Sequence, residues 1–415
     1  MRAALKSRQL RRIIAAYTVN RLGTWFGFVA LSVAVFDHTH SALAVAALLV
    51  SGQVFPALLA PALIARVEAS ERKGTLAGLY VFEAFATVGL ALLVSHLWLP
   101  VILLLVALDG SAALSANALL RAEAARAGRE QSGTVDDATI ERDASVHDGE
   151  RQANAALNIA FSATFTLGPA VAGVVVASAG ASAALWIDAG SFLACGAMLL
   201  DLRPYVEETG MTSVRARLRA AWRHIQDVPA LRTLLVIEAA ALVFFEFAGP
   251  IEIAYAKATL HAGDRGYGLL LTVWGVGVVI GSIVFARSGE RTLGAMLTGG
   301  TLAIGMAYIG FAAAPSLAVA SAAALLGGLG NGVQWASVVS TVQRLTPARL
   351  HGRLMGALES LSAICPAIGL SAGGSLVVLG SPRSAFLIAG IGAATAAVGF
   401  LRLAMAGLGT RPTAG

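Results

Sequence analysis

The chain is predicted to be an all-α membrane protein of twelve transmembrane helices in two six-helix halves. Three observations carry that prediction. About twelve apolar stretches follow one another, each near the ~20 residues a bilayer crossing needs. The composition is 57% apolar and only 13% charged over 415 residues, against roughly 25% charge in a soluble domain. Of 30 Lys and Arg, 26 fall in alternate loops where one membrane face would see them.

The expected spans, in order, are 13–36, 42–65, 75–95, 99–120, 153–178, 182–202, 232–256, 267–286, 292–313, 316–342, 354–379 and 384–404. The first apolar run, Ile13 to Phe36, is too long for the core of a cleaved leader and reads as a retained span. The basic loops are the N-terminus, 66–74, 121–151, 203–232, 287–291, 344–353 and the tail. Lys257, Arg265 and Arg383 belong to the opposite face, and Arg21 lies inside span 1. The positive-inside rule then places both termini in the cytoplasm. Arg outnumbers Lys 27 to 3, which points to a GC-rich bacterial genome and a bacterial inner membrane.

Two polar stretches interrupt the spans. Residues 122–151 hold eight acids and four arginines and read as a solvated, partly helical loop. Residues 203–231 carry Val214, Leu218, Trp222, Ile225 and Val228 at helical spacing, with Arg215, Arg217, Arg219 and Arg223 among them. That is the pattern of a basic amphipathic helix on the inner leaflet. The expected divisions are a half at 1–202, this linker at 203–231, a half at 232–404 and a tail at 405–415. A shift of 201 residues lays Gly173 on Gly374, Ala184 on Ala385 and Leu185 on Phe386. Parallel repeats of this kind place a substrate site near the midplane.

Several classes are excluded. The basic residues are spread over many loops rather than gathered on one face, which argues against nucleic acid. Cys195 and Cys365 sit in apolar spans without metal-ligand spacing. No Gly-x-x-x-x-Gly-Lys-Ser/Thr, His-Glu-x-x-His or nucleophile elbow occurs, so neither an ATP-driven pump nor an enzyme is expected.

A charged side chain at the bilayer centre costs at least ~2.5–3.5 kcal/mol, so each one needs a reason. The candidates for proton coupling are Asp109, Glu83, Asp188 and Glu246, with Arg21 as the one buried base and their expected partner. Glu238 lies in the same span as Glu246. The competing reading is a carboxylate that only holds helices together, and for Asp188 that reading is favoured. Asp37, His38 and His40 end span 1, where capping around Ser41 is the simpler account than proton sensing.

Glycines four apart at 23/27, 277/281, 328/332 and 369/373 bare one helix face for close packing. Pro169, Pro250 and Pro366 lie within spans as potential kinks. Trp25, Phe28, Phe165, Trp274, Asn331, Gln334 and Trp335 are the substrate-cavity candidates, with Phe26, Phe55, Phe161, Phe244 and Phe245 further aromatics of the same spans.

The motifs resemble the major facilitator superfamily, in its branch of macrolide- and siderophore-exporter-like drug efflux proteins. The carrying residues run Asn20-Arg21-Leu22-Gly23-Thr24-Trp25, Phe36-Asp37 with Ser41-Ala42-Leu43-Ala44, Ala153-Asn154-Ala155, Leu167-Gly168-Pro169-Ala170 and Asp188-Ala189-Gly190-Ser191-Phe192. In the second half they are Gly266-Tyr267-Gly268 and Thr346-Pro347 through Gly352-Arg353 to Gly356-Ala357-Leu358-Glu359. The resemblance implies secondary transport: proton-driven efflux of small amphiphilic molecules by alternating access. It implies no cofactor, with lipid, protons and a small substrate as the partners of a monomer. It also implies gating by Glu68, Arg72, Lys73, Arg353 and Glu359, and an antiporter-like motif at Gly168, Pro169 and Gly173.

Two departures stand out. Glu68 replaces the usual Asp and Ala69 the following Arg in the loop between spans 2 and 3. Ala155 and Thr164 replace upstream glycines in span 5. The alternatives are an uptake symporter of the same fold and a transport-inactive receptor or scaffold.

Overall fold

The computed structural model describes residues 7–70, 74–132, 139–202, 222–288, 293–346 and 351–406. They are helical almost throughout. The helices are α1 (Arg8–Thr39), α2 (Ala42–Ser70), α3 (Thr75–Leu93), α4 (Leu99–Ser132), α5 (Thr139–Leu199), α6 (Pro229–Phe245), α7 (Ala248–Ala254), α8 (Gly263–Arg287), α9 (Leu293–Ala313), α10 (Leu317–Arg344), α11 (His351–Leu379) and α12 (Pro382–Met405). Ten helical stretches among the described residues are long and apolar enough to cross a membrane, and Ile364–Leu379 is a shorter apolar one.

The expected spans map onto these helices one by one, with two informative exceptions. Spans 5 and 6 run together as α5, whose 61 residues would make a rod of about 90 Å, three times the ~30 Å hydrocarbon core. The chain turns back instead at Gly180, where φ is 85° and ψ 166°, a conformation open to a residue without Cβ. Contacts with α1 show the reversal. Arg21 meets Phe161 and Trp25 meets Phe165, so the first arm runs parallel to α1. Arg12 donates to the Met198 carbonyl while Gly23 faces Ser191, so the second arm runs antiparallel.

The other exception is span 7, which divides into α6, α7 and a π-helical turn, Tyr255–Thr259. Pro250 has no N–H for the Glu246 carbonyl, and the helix breaks at Glu246–Phe247. The Tyr308 hydroxyl donates to the Phe245 carbonyl at 2.8 Å, supplying a partner at the broken end. Where the π turn closes, the Leu260 N–H reaches Tyr255 O at 2.9 Å.

The described chain forms two compact units: Met1–His38 with Ser51–Glu208, and Thr39–Val50 with Thr209–Gly415. The expected boundary at 202 is therefore modified at α2, whose opening turns belong to the second unit. The reason is local. Ala42, Leu43 and Ala46 form a low face on which Gly374 of α11 rests, and Leu49 reaches Gly249.

The first unit buries Leu10, Tyr17, Leu76, Tyr80, Ala116, Leu120, Leu157, Phe192 and Leu199 together. The second buries Leu231, Leu234, Leu297, Val338, Leu358 and Phe400. Large apolar side chains also cover the outside, among them Leu92, Leu104, Val174, Ile187 and Leu379. That surface suits a hydrocarbon solvent and not water.

The stretch 122–151 is more helical than expected, because α4 continues to Ser132 and α5 starts at Thr139. Alternating Ala, Glu and Arg favour the helix. Glu123 adds an ion pair with Arg126 one turn on and accepts from Gln9 Nε2 at 3.0 Å. Of the amphipathic linker, Val214, Leu218, Arg215, Arg217 and Arg219 lie outside the described residues; residues 222–227 are helical, with Trp222 and Arg223 exposed.

Two of the three cations expected on the opposite face have structural partners among the described residues. Lys257 donates to Asp264 at 2.6 Å, and Arg383 donates to the Ala312 and Ala314 carbonyls at 3.0 and 2.8 Å, capping α9. Ser41 accepts from the Ala44 N–H at 3.3 Å, the cap expected at the start of α2.

Candidate functional site

In the first unit three acids converge from three helices. Glu83 on α3 is fully buried, and neither of its oxygens has a hydrogen-bond partner. It lies within electrostatic range of Asp109 on α4 and Asp188 on the second arm of α5, and those two also act on each other. Asp109 takes a hydrogen bond from the Thr87 hydroxyl and leaves Oδ1 unpartnered.

Asp188 sits against the bare face of α1. A Cβ on Gly23 would collide with Ser191 and the Asp188 carboxyl, and one on Gly27 with the Asp188 carboxyl. The glycine pair expected to permit close packing thus makes room for an acid. Asn20 Oδ1 and the Tyr80 hydroxyl are buried around the same cluster without partners. Cys195 donates to the Ala16 carbonyl at 3.3 Å.

Arg21 does not join these acids. Its guanidinium lies 4.9 Å from the centre of the Phe161 ring, and no described carboxylate is within ion-pair distance. The expected pairing is replaced by a cation–π contact, which a delocalised guanidinium makes readily. Trp25, one turn on, meets Phe28 at 5.5 Å and Phe165 at 5.4 Å in edge-on geometry. It also packs over Gly168, which has no side chain to obstruct the indole. Pro169 and Gly173 are buried on the same arm.

The second unit holds its acids differently. Glu238 on α6 is fully buried, and its Oε2 accepts from Gln334 Nε2 on α10 at 2.7 Å. Gln334 therefore faces Glu238 rather than a cavity. Asn331 is half-buried, and Trp335 packs against the core of its unit. Trp274 stacks on Tyr308 at 5.9 Å and covers Gly327. Glu246 lies at the break in span 7 with Glu252 one and a half turns on, and each acts electrostatically on Tyr308.

Glu252 was not among the expected site residues. The signal was an acid between Ile251 and Ile253 inside an apolar span. Glu68, Arg353 and Glu359 lie on α2 and α11, but their side chains, like all of Arg72 and Lys73, fall outside the described residues. Among the described residues no His, Cys, Asp and Glu group is arranged to hold a metal ion.

The profile of the Major Facilitator Superfamily matches residues 234–414. The chain is 23% identical over 399 residues to the uncharacterized MFS-type transporter YfiS of Bacillus subtilis, covering 92% of this chain and 89% of that one. The nucleoside transporter NupG superposes with a TM-score of 0.74 at 12% identity, covering 96% of this chain and 99% of NupG. The chain is similar to transporters of the major facilitator superfamily and shares their fold.

That similarity agrees with the succession of long apolar helices among the described residues. A bacterial homologue of the human lysosomal transporter Spinster has the same fold, with a TM-score of 0.69 at 12% identity over 97% of this chain and 98% of that one. The multidrug efflux pump Tap of Mycolicibacterium fortuitum is 24% identical over 242 residues. That match spans 57% of this chain and 59% of the pump.

Proposed function

We propose that this protein exports small amphiphilic molecules by alternating access, driven by protons entering across a bacterial inner membrane, with both termini in the cytoplasm. The observation that carries the reading is the convergence of Glu83, Asp109 and Asp188 in one interior with no described cation paired to them. A carboxylate kept only for packing would be expected to have a donor on each oxygen. Glu83 has none.

A carboxyl group whose access switches between two faces takes up a proton on one side and releases it on the other. A proton crossing 100 mV gains ~2.3 kcal/mol, which can drive a substrate the other way. The local similarity to an efflux pump supports export. The arginine-rich loops support cytoplasmic termini.

Inverted vesicles carrying the protein test the proposal. A proton gradient acid inside is expected to concentrate a lipophilic substrate in the lumen. Accumulation only under the reversed gradient identifies an uptake symporter, and no response to either gradient across a broad substrate panel favours a receptor or scaffold.

A further inference from the structure

Two arginines of the first unit lie around Tyr17, within electrostatic range of each other. Arg21 on α1 is half-buried, its Nε is buried without a hydrogen-bond partner, and its charge is coupled to Tyr17 and Arg121. Arg121 on α4 donates from Nη2 to the Tyr17 hydroxyl at 2.9 Å, with its guanidinium carbon 5.5 Å from the Tyr17 ring centre. Neither forms an ion pair with a described acid. Arg21 is half-buried and Arg121 exposed, so an anion can approach from the Arg121 side and answer the less hydrated charge of Arg21. Each guanidinium offers a planar fork of N–H donors suited to an oxyanion.

An apolar wall continues from this pair. Tyr17, Arg21, Trp25 and Phe28 follow one another along α1 at spacings of three to four residues, which places them on one face. Phe161 lies under Arg21, Phe165 is 5.7 Å from Phe161, and Trp25 bridges Phe165 and Phe28. Arg21, Trp25, Phe28, Phe161 and Phe165 are all half-buried, so the wall keeps an accessible side. Asp188 lies on a different face of α1, that of Gly23 and Gly27.

We infer that Arg21 and Arg121 bind the oxyanion of an amphiphilic acid whose apolar body lies on Trp25, Phe28, Phe161 and Phe165. The cargo class is thus a carboxylate-bearing amphiphile. The assignment rests on the transport reading above for its claim that the ligand is cargo, but binding at the arginines does not depend on proton coupling. An anionic lipid headgroup carries the same chemistry, and the test separates the two.

The experiment uses the full-length protein in a lipid-free nonionic micelle and compares pyrenebutyrate with its uncharged methyl ester by fluorescence anisotropy. The acid is expected to bind at least about tenfold more tightly than the ester, the usual scale of a charge-assisted pair. Arg21→Gln and Arg121→Gln should each lower acid affinity to that of the ester while leaving ester binding unchanged, which also reports an intact fold. If Arg21→Gln does not fold, Arg121→Gln alone decides.

Equal affinity of the wild type for acid and ester, or a preference that survives both substitutions, overturns the site. Displacement of the probe by a few equivalents of anionic phospholipid overturns its assignment to cargo. Preferential binding together with no proton-driven movement of pyrenebutyrate in proteoliposomes upholds the site and removes the proton-coupling reading instead.

Discussion

In the first unit Glu83 has no donor on either oxygen, whereas in the second Glu238, equally buried, receives the Gln334 amide at 2.7 Å. The glycines differ in parallel. In the second unit several lie in helix-to-helix backbone contact: Gly277 on Gly328, Gly281 on Leu329, Gly300 on Gly330 and Gly305 on Gly390. In the first, Gly23 and Gly27 face an acid and Gly168 faces an indole. These second-unit glycines join helices, whereas Gly23, Gly27 and Gly168 make room for polar and aromatic side chains. A tied acid and close helix contacts suit a scaffold, while an acid without a donor, as Glu83 is, suits a group that changes its proton occupancy.

The largest expected effect breaks the close contacts. A Cβ on Gly328 would collide with the Trp274 carbonyl and the Gly277 Cα. Overpacking costs roughly 1–3 kcal/mol where side chains can yield, and more where backbone is the obstacle. The double substitution Gly277→Val with Gly328→Val is expected to abolish the monodisperse peak in size-exclusion chromatography. In the first unit Gly190 has no neighbour at its Cβ position, so Gly190→Val should elute as the wild type does. A normal profile for the double variant would show that the backbone contact is dispensable.

Next comes Asp109→Asn, which keeps the shape of the side chain and removes its charge. We expect proton-driven transport in inverted vesicles to fall to background while thermal stability is kept. The matched change Glu238→Gln in the second unit should leave most transport intact, since its carboxylate is already held by Gln334. Equal losses in the two variants would erase the distinction between the units, and full activity in Asp109→Asn would remove that residue from coupling.

Most of the fold was legible because bilayer physics is a length rule and a charge rule, both linear in sequence. The twelve spans, the first-unit acids and the glycine pairs all follow from counting residues. The turn at Gly180 follows too, since no membrane accommodates a straight 61-residue helix. What escaped depends on partners distant in the chain. Arg21 could answer its charge with an acid or with an aromatic ring, and only the packing of α5 on α1 decides for Phe161. Gln334 looked like a cavity residue because a polar group in a span has two uses, and its bond to Glu238 crosses 96 positions. Glu252 was passed over although its apolar flanks marked it as plainly as those of Glu246. The continuation of α4 to Ser132 was understated because polarity suggested a loop, while Ala, Glu and Arg are also helix formers.

A smaller effect tests the tie itself. Gln334→Ala leaves the fully buried Glu238 carboxylate without its donor, and a buried polar group stripped of its partner costs about 1–3 kcal/mol. The apparent melting temperature of the purified protein should drop, and Glu238→Gln combined with Gln334→Ala should recover part of the loss because the charge is gone. The same rescue cannot work in the first unit, where Glu83 has no donor to remove. A double variant as unstable as Gln334→Ala would mean that the outer part of the Gln334 side chain acts through the volume it fills rather than through Glu238.

The smallest effect concerns the break in span 7. The Tyr308 hydroxyl donates to the Phe245 carbonyl at 2.8 Å, close to where the helical ladder is interrupted by Pro250. Tyr308→Phe keeps the ring, its stack on Trp274 and its contacts with Phe311 and Phe386, and deletes only that bond. A net loss of about 1 kcal/mol is expected, the usual worth of one hydrogen bond. Because the carbonyl sits at a helix end, the cost should be local: faster amide hydrogen exchange at 246–252, with exchange in α9 and α12 unchanged. Uniformly faster exchange across the second unit would make Tyr308 a core residue of the whole unit. An unchanged pattern would show that the break is held by α11 instead, where Gly369 and Gly373 lie against Val243, Glu246 and Phe247.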